Sequence, residues 1–145
     1  MKEEKMKEIV IDYFGNQGFV WFEEVPISQK RIDLYFIHRN YPKTIAVELK
    51  IRKWKQALKQ AYQNLFYAQK SYVGLWHKFL NKKIIFEISS YGLGILEVKL
   101  DSVELIAKPD SRRYGILPSM WNIINKITSQ KDDDFLWREK NADIC

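Results

Sequence analysis

The sequence predicts a single α/β domain in which helices flank a central mixed sheet. Its 145 residues, 46% hydrophobic and 29% charged, suit one globular domain with one core. Segments with helical spacing of apolar residues alternate with short segments of strand character. The sequence has no internal repeat or Pro/Gly-rich linker. We therefore expect one domain over residues 1–130, with its core at about residues 3–107, and a charged tail over 131–145.

The first part of the chain predicts one helix and three strands. Apolar residues recur at helical spacing over residues 3–14, whereas residues 19–27 are rich in aromatic and β-branched types. Apolar and polar residues alternate over 31–39 and again over 44–51, with a turn at 40–42. The last two strands should therefore form a hairpin with one buried apolar face.

The remainder predicts further helices and strands. In chain order these are a helix over 54–69, a strand over 71–76, a helix with a frayed end over 77–90, strands over 93–98 and 103–107, and a helix over 118–128. Residues 82–86 could instead form a strand. The first six elements have the order α-β-β-β-α-β.

Positive charge is concentrated in the middle of the chain. The net charge is +6, yet residues 25–86 hold 13 Lys or Arg and two acids, Asp33 and Glu48. Such a field is expected of a protein that binds a polyanion such as nucleic acid. A solvated basic face without a partner is the alternative, but it does not explain why two acids remain there.

Several features favour a cytoplasmic protein without a membrane segment. The longest apolar run has four residues, and the first eight residues lack the apolar stretch of a signal peptide. The single cysteine, Cys145, cannot form an internal disulfide.

The two acids have the chemistry of a metal site. Glu48 and Lys50 are two residues apart on a strand, so they point to the same side, and the carbonyl of Leu49 lies at the same edge. Hairpin pairing can bring Asp33 near Glu48. Two carboxylates and a carbonyl suit Mg²⁺ or Mn²⁺, which can activate water beside a phosphodiester, and a lysine can assist that water.

The Glu-x-Lys tripeptide is specific only in its context. It occurs as Glu3/Lys5, Glu48/Lys50 and Glu97/Lys99. The middle copy alone ends an apolar strand, follows a strand that carries an acid, and precedes a helix rich in glutamine.

With residues 31–36, 46–50 and the helix over 56–67, the sequence resembles the PD-(D/E)xK nuclease superfamily. It is similar to small Holliday-junction-resolvase-like and RecB-like members over about residues 3–107. The resemblance implies a restriction-endonuclease-like core of order α-β-β-β-α-β. It also implies metal binding by Asp33, Glu48 and the Leu49 carbonyl, with Lys50 as the catalytic lysine. Ile32 replaces the proline that precedes the aspartate in that pattern.

The helix after Lys50 should contact nucleic acid. Its polar stripe and the lysines at its start are the expected contacts: Gln56, Gln60, Gln63, Tyr67, Lys53 and Lys55. Gln63 and Tyr67 match the Gln-x-x-x-Tyr signature of RecB-like members. The alternative for this stripe is a plain exposed helix face.

An acid of the first helix often joins the site in this superfamily. Glu8 is the closest match, Glu4 competes with it, and Glu23 or Glu24 could approach from the first strand.

These observations lead to three hypotheses. The first is a nuclease that hydrolyses DNA with Mg²⁺ or Mn²⁺, and a homodimer is expected because two strands need two sites. The second is a catalytically silent module of the same fold that binds nucleic acid or a partner. The third is a subunit whose basic segment binds an acidic protein.

Overall fold

Six strands form one mixed sheet in residues 1–110, 115–129 and 135, which are the residues that the computed structural model describes. The strands are β1 (Phe19–Ile27), β2 (Lys30–His38), β3 (Thr44–Lys50), β4 (Lys70–Trp76), β5 (Gly94–Val98) and β6 (Val103–Ala107). The helices are α1 (Glu3–Gly15), α2 (Trp54–Asn64), α3 (Lys82–Ser89) and α4 (Pro118–Ile127), with a 3₁₀ turn at His77–Phe79.

The strands lie in the sheet in the same order as in the chain. The pairs β1–β2, β2–β3 and β5–β6 are antiparallel, whereas β3–β4 and β4–β5 are parallel, with α2 and α3 in the two crossovers. The expected α/β fold with a mixed sheet flanked by helices is therefore confirmed. Within the described ranges, no helix has the length and apolar character needed to cross a bilayer.

Helix α1 covers one face of the sheet. Its buried side chains pack on the strand residues that point to this face: Met6, Ile9, Val10 and Phe14 on Leu34, Phe36, Ile45, Val47 and Leu49. A fully buried aliphatic or aromatic side chain contributes roughly 1.5–3 kcal/mol relative to an exposed one. This layer supports β2 and β3, the strands that carry Asp33 and Glu48.

The other three helices cover the opposite face. Helices α2 and α3 bury small and aliphatic residues against β4 and β5: Ala57, Ala61, Ile84 and Ile88 on Val73, Leu75 and Ile95. Helix α4 contributes Met120, Ile123 and Ile124 to a cluster with Tyr35, Ile37 and Ala46.

The expectation that only one face of the β2–β3 hairpin is buried is wrong. Tyr35 and Ala46 are paired across the hairpin on the face predicted to be polar, and both are fully buried. They belong to the same cluster as Met120 of α4. Because α4 lies more than seventy residues later in the chain, local alternation in β2 and β3 could not reveal this cover.

Two helix predictions differ in detail from the structure. Helix α2 ends at Asn64 rather than residue 69, because the amides of Leu65 and Phe66 bond to carbonyls three residues back and tighten the chain into a turn. In the 77–90 segment the helix is right and the alternative strand is wrong: Asn81 caps α3 by accepting the Ile84 amide at 2.9 Å. The tail predicted over 131–145 lies outside the described residues except for Phe135, which is buried.

Gly94 of β5 tests the close packing of the sheet. A Cβ at this position would lie 2.5 Å from Cδ1 of Tyr72 and 2.9 Å from Cδ of Pro109, and both atoms belong to rings that cannot bend away. We expect Gly94→Ala to lower the free energy of unfolding by about 1–3 kcal/mol, measured by chemical denaturation. Gly15→Ala is the control, because a Cβ there meets nothing within 4 Å. Equal losses in the two variants would contradict this account.

Candidate active site

The candidate site lies where β2 and β3 separate. Their ladder runs as far as the pair Leu34–Val47, and the next residues on the two strands are Asp33 and Glu48. Oδ2 of Asp33 accepts the amide hydrogen of Leu49 at 2.8 Å, so a carboxylate replaces a strand–strand bond. In an antiparallel ladder, the N–H and C=O of one residue face the same neighbour. The Leu49 carbonyl therefore faces this opening too.

Glu48 is buried and bound by two donors. Its side chain is 1% exposed, and Oε1 accepts hydrogen bonds from Nδ2 of Asn64 at 2.8 Å and from Nζ of Lys30 at 3.2 Å. The same ammonium donates to the carbonyl of Gln60 at 3.0 Å. One carboxylate thus connects the start of β2, the end of β3 and helix α2.

The carboxylates of Asp33 and Glu48 repel each other. Burial, and then the neighbouring charge of Asp33, raises the pKa of Glu48 to about 7, while the hydrogen bond from Asn64 and the charge of Lys30 act in the opposite direction. The donors on this chain therefore compensate the pair only in part. A cation at the opening would supply the missing positive charge.

Two residues of α2 that contact Glu48 or its partner Lys30 carry side-chain oxygens without a donor in the described structure. Among the residues that the structure describes, the buried oxygens Oε1 of Gln60 and Oδ1 of Asn64 have no donor. Carboxylate, amide and carbonyl oxygens are the ligands that Mg²⁺ and Mn²⁺ prefer. The described ranges contain no cluster of three or more His, Cys, Asp or Glu side chains with metal-binding geometry. The candidate ligands are the carboxylates of Asp33 and Glu48 and the backbone carbonyl of Leu49.

Lys50 lies beside the first turn of α1. Its Nζ is 3.7 Å from Oε1 of Glu3, and its side chain is partly buried. The predicted partner Glu8 is not brought here: it is exposed and pairs with Lys5 at 3.3 Å. Glu3 and Glu8 are five residues apart, which places them roughly 140° apart around the helix.

The other acidic candidates also lie away from Lys50. Glu4 and Glu24 both contact Lys7, and Glu23 lines a surface cavity together with Glu4 and Glu8. Glu3 is thus the acid of the first helix that contacts the candidate catalytic lysine, and the sequence did not indicate it.

The predicted glutamine stripe does not form one continuous surface. Gln56 and Gln63 are exposed, whereas Gln60 is half-buried and Lys30 binds its carbonyl. Tyr67 lies beyond the end of α2, where its carbonyl accepts a hydrogen bond from the hydroxyl of Tyr35.

Two lysines at the start of α2 remain exposed. Lys53 is the N-cap residue, and Nζ of Lys55 lies 5.6 Å from the ring centre of Trp54. Together with Gln56, these lysines place polar and positively charged groups at the N-terminal end of α2, which directly follows β3.

Sequence reasoning missed Lys30 and Asn64. Asn64 is four residues after Gln60 and so shares its side of the helix, which is a usable pattern. Lys30 follows the β1–β2 turn, and no spacing in the sequence relates it to Glu48.

No family model and no curated protein matches the chain. Among solved structures, it is similar to the SPO1766 protein of unknown function from Silicibacter pomeroyi, with a TM-score of 0.71 and 15% identity over 99% of this chain and 94% of that one.

Two weaker likenesses are a repair endonuclease from Pyrococcus abyssi and SfsA of Pyrococcus furiosus in complex with Ca²⁺. The endonuclease has a TM-score of 0.49 and 15% identity over 68% of this chain and 47% of that one. SfsA has a TM-score of 0.36 and 10% identity over 76% and 62%. The SPO1766 likeness shows the fold, which is an α/β fold consistent with the expected restriction-endonuclease-like core.

Proposed function

We propose that this chain is a metal-dependent nuclease that hydrolyses phosphodiester bonds of DNA. The observation that carries the proposal is the meeting of Asp33 with the buried carboxylate of Glu48 at the opening between β2 and β3. These are the two acids of a segment that is otherwise cleared of carboxylates. Burying Glu48 beside a second, half-buried acid is costly unless a positive ion compensates them.

The residues present fit a divalent ion. Asp33, Glu48 and the carbonyl of Leu49 would hold Mg²⁺ or Mn²⁺, since carboxylate and carbonyl oxygens are the ligands that these ions prefer. When bound, such an ion activates water and stabilises negative charge on a phosphodiester.

Residues of the chain supply the other parts of the reaction. Lys50 would orient the attacking water and offset developing charge on the phosphate, and Glu3 restricts its ammonium. Lys30 and Asn64 fix the orientation of Glu48.

Exposed groups at the start of α2 are suited to bind the DNA backbone. Lys53, Lys55 and Gln56 would contact phosphates, a type of contact that weakens as salt increases. The homodimer and the cytoplasmic location stay predictions.

Loss of either carboxylate or of Lys50 should strongly reduce the rate of DNA cleavage. We expect Asp33→Asn, Glu48→Gln and Lys50→Ala to reduce the cleavage rate at least about 100-fold, because each removes a metal ligand or the group that assists water. The assay uses linear, supercoiled, single-stranded and branched DNA with Mg²⁺ or Mn²⁺.

The matched control is the other Glu-x-Lys pair on the sheet. Glu97 lies on β5, two strands from β3, and Lys99 pairs with Glu97 and Glu104 rather than with Asp33 or Glu48, so Glu97→Gln and Lys99→Ala should cut at the wild-type rate. If the wild type cuts no substrate, or if the Asp33 and Glu48 variants cut as it does, the proposal fails. Salt-dependent DNA binding without cleavage would indicate the silent binding module.

Acids of the first helix should differ in their effect. Glu3→Gln should lower the cleavage rate because it releases the Lys50 ammonium, whereas Glu8→Gln should not, since Glu8 contacts Lys5. Equal rates for the two variants would exclude a role of Glu3 in positioning Lys50.

Metal-free protein should lose stability as the pH rises. The carboxyl of Glu48 loses its proton near 4.5 in the unfolded chain and near 7 in the folded one, so unfolding becomes easier across that interval. In chelator at pH 8, we expect Glu48→Gln to be more stable than wild type by roughly 1–3 kcal/mol in chemical denaturation.

Metal should reverse this difference. Added Mn²⁺ should raise the melting temperature of wild type at pH 8 and leave that of Glu48→Gln nearly unchanged. Glu8→Gln is the control and should respond to Mn²⁺ as wild type does. An equal response in all three proteins would place the ion elsewhere.

A further inference from the structure

A cavity of about 470 Å³ lies beside the candidate site. Its walls are the β1–β2 hairpin turn and the last turn of α2 with the segment that follows it: Ile27, Ser28, Gln29, Lys30, Gln63, Phe66 and Tyr67. Lys30 also belongs to the site, since its Nζ is 3.2 Å from Oε1 of Glu48. Lys30 therefore links the wall of the cavity to Glu48.

Phe66 presents an apolar ring to solvent on a fixed backbone. The residue is 72% exposed, although its carbonyl accepts a hydrogen bond from Oγ of Ser119 at 2.6 Å. The next carbonyl, that of Tyr67, accepts a bond from the Tyr35 hydroxyl. Helix α4 and strand β2 thus hold the turn from two sides. A single exposed apolar residue is ordinary, but an exposed ring on a fixed backbone that lines a cavity offers a surface to a flat partner.

The polar groups of the cavity complement a nucleotide. Phe66 and Tyr67 offer aromatic faces, and Gln29 and Gln63 offer amide donors and acceptors of the kind that bind base edges. Lys30 adds positive charge, and among the described residues none of those that line the cavity is acidic. The volume lies within the range of about 300–1,000 Å³ of small-molecule pockets, which is sufficient for one nucleoside.

We propose that this cavity receives an unpaired base of a DNA strand, which stacks on Phe66 while its phosphate lies near the Asp33–Glu48 pair. The inference rests on the proposed function, because it makes the cavity part of the same DNA-binding surface. A paired base exposes no ring face to a side chain, whereas an unpaired one does. The substrate class is therefore DNA with a single-stranded segment.

The test compares two exposed phenylalanines. Phe86 on α3 is 75% exposed and does not line the cavity, so Phe86→Ala is the matched control for Phe66→Ala. Fluorescence anisotropy would measure the binding of a short labelled single-stranded DNA and of its duplex, in chelator to prevent cutting. We expect Phe66→Ala to weaken single-strand binding by about ten-fold or more, which is the effect of losing one stacked base.

The duplex measurements and the other two variants serve as controls for the loss of single-strand binding. Phe66→Ala should bind duplex as wild type does, and Phe86→Ala should bind both DNA forms as wild type does. Phe66→Trp should retain single-strand binding, because tryptophan keeps a stacking surface. Equal affinities of Phe66→Ala and Phe86→Ala, an equal loss on duplex, or tighter binding of single-stranded RNA would overturn the inference.

Cleavage assays separate this inference from the proposed function. If wild type cuts no DNA with Mg²⁺ or Mn²⁺ but Phe66→Ala still loses single-strand binding, the nuclease proposal fails and the stacking site stands. If wild type cuts DNA and Phe66→Ala binds and cuts single strands equally well, the stacking site alone fails.

Discussion

The buried carboxylate of Glu48 is the group on which the candidate site depends. It is removed from water and bound by Lys30 and Asn64, and these three residues come from β2, β3 and α2. A buried charge that loses one partner destabilises a protein strongly, because the remaining charge is left uncompensated. The described residues supply two donors to Glu48, and among them Oδ1 of Asn64 and Oε1 of Gln60 have no donor. The proposed divalent ion would supply positive charge beside this carboxylate.

The separation of β2 from β3 gives this carboxylate its surroundings. While the strands are paired, their backbone groups satisfy each other; beyond Leu34–Val47, the Asp33 side chain takes over the amide of Leu49. At the same opening, the backbone carbonyl of Leu49 faces the side of Asp33 and Glu48. Helix α1 packs on β2 and β3 through Leu49 and its neighbours in the same cluster. The first turn of α1 contacts Lys50 through Glu3. The site is thus held by the two layers of the core rather than by one loop.

Much of this arrangement could be predicted from local patterns, and the failures have physical reasons. Alternation on two strands joined by a short turn was sufficient to predict that hairpin pairing can bring Asp33 near Glu48, because hairpin register depends on the turn and on the pleat. Periodicity cannot tell which acid of a helix faces a strand that is distant in sequence, so Glu8 was expected where Glu3 lies. Lys30 belongs to no periodic pattern. The burial of Tyr35 depends on α4, which follows it by more than eighty residues.

The chain-order arrangement of the strands has a consequence for how the protein folds. Each new strand adds next to the strand made before it, so no strand must wait for a distant segment to be inserted beside it. The residues that bind Glu48 lie between positions 30 and 64, and the elements that carry them are complete once α2 has formed. Contacts of short sequence separation form quickly, because little loop entropy is lost when they close. The carboxylate cluster could therefore assemble on a nascent chain while β5 and β6 are still being synthesised, and those strands would be added to a site already formed.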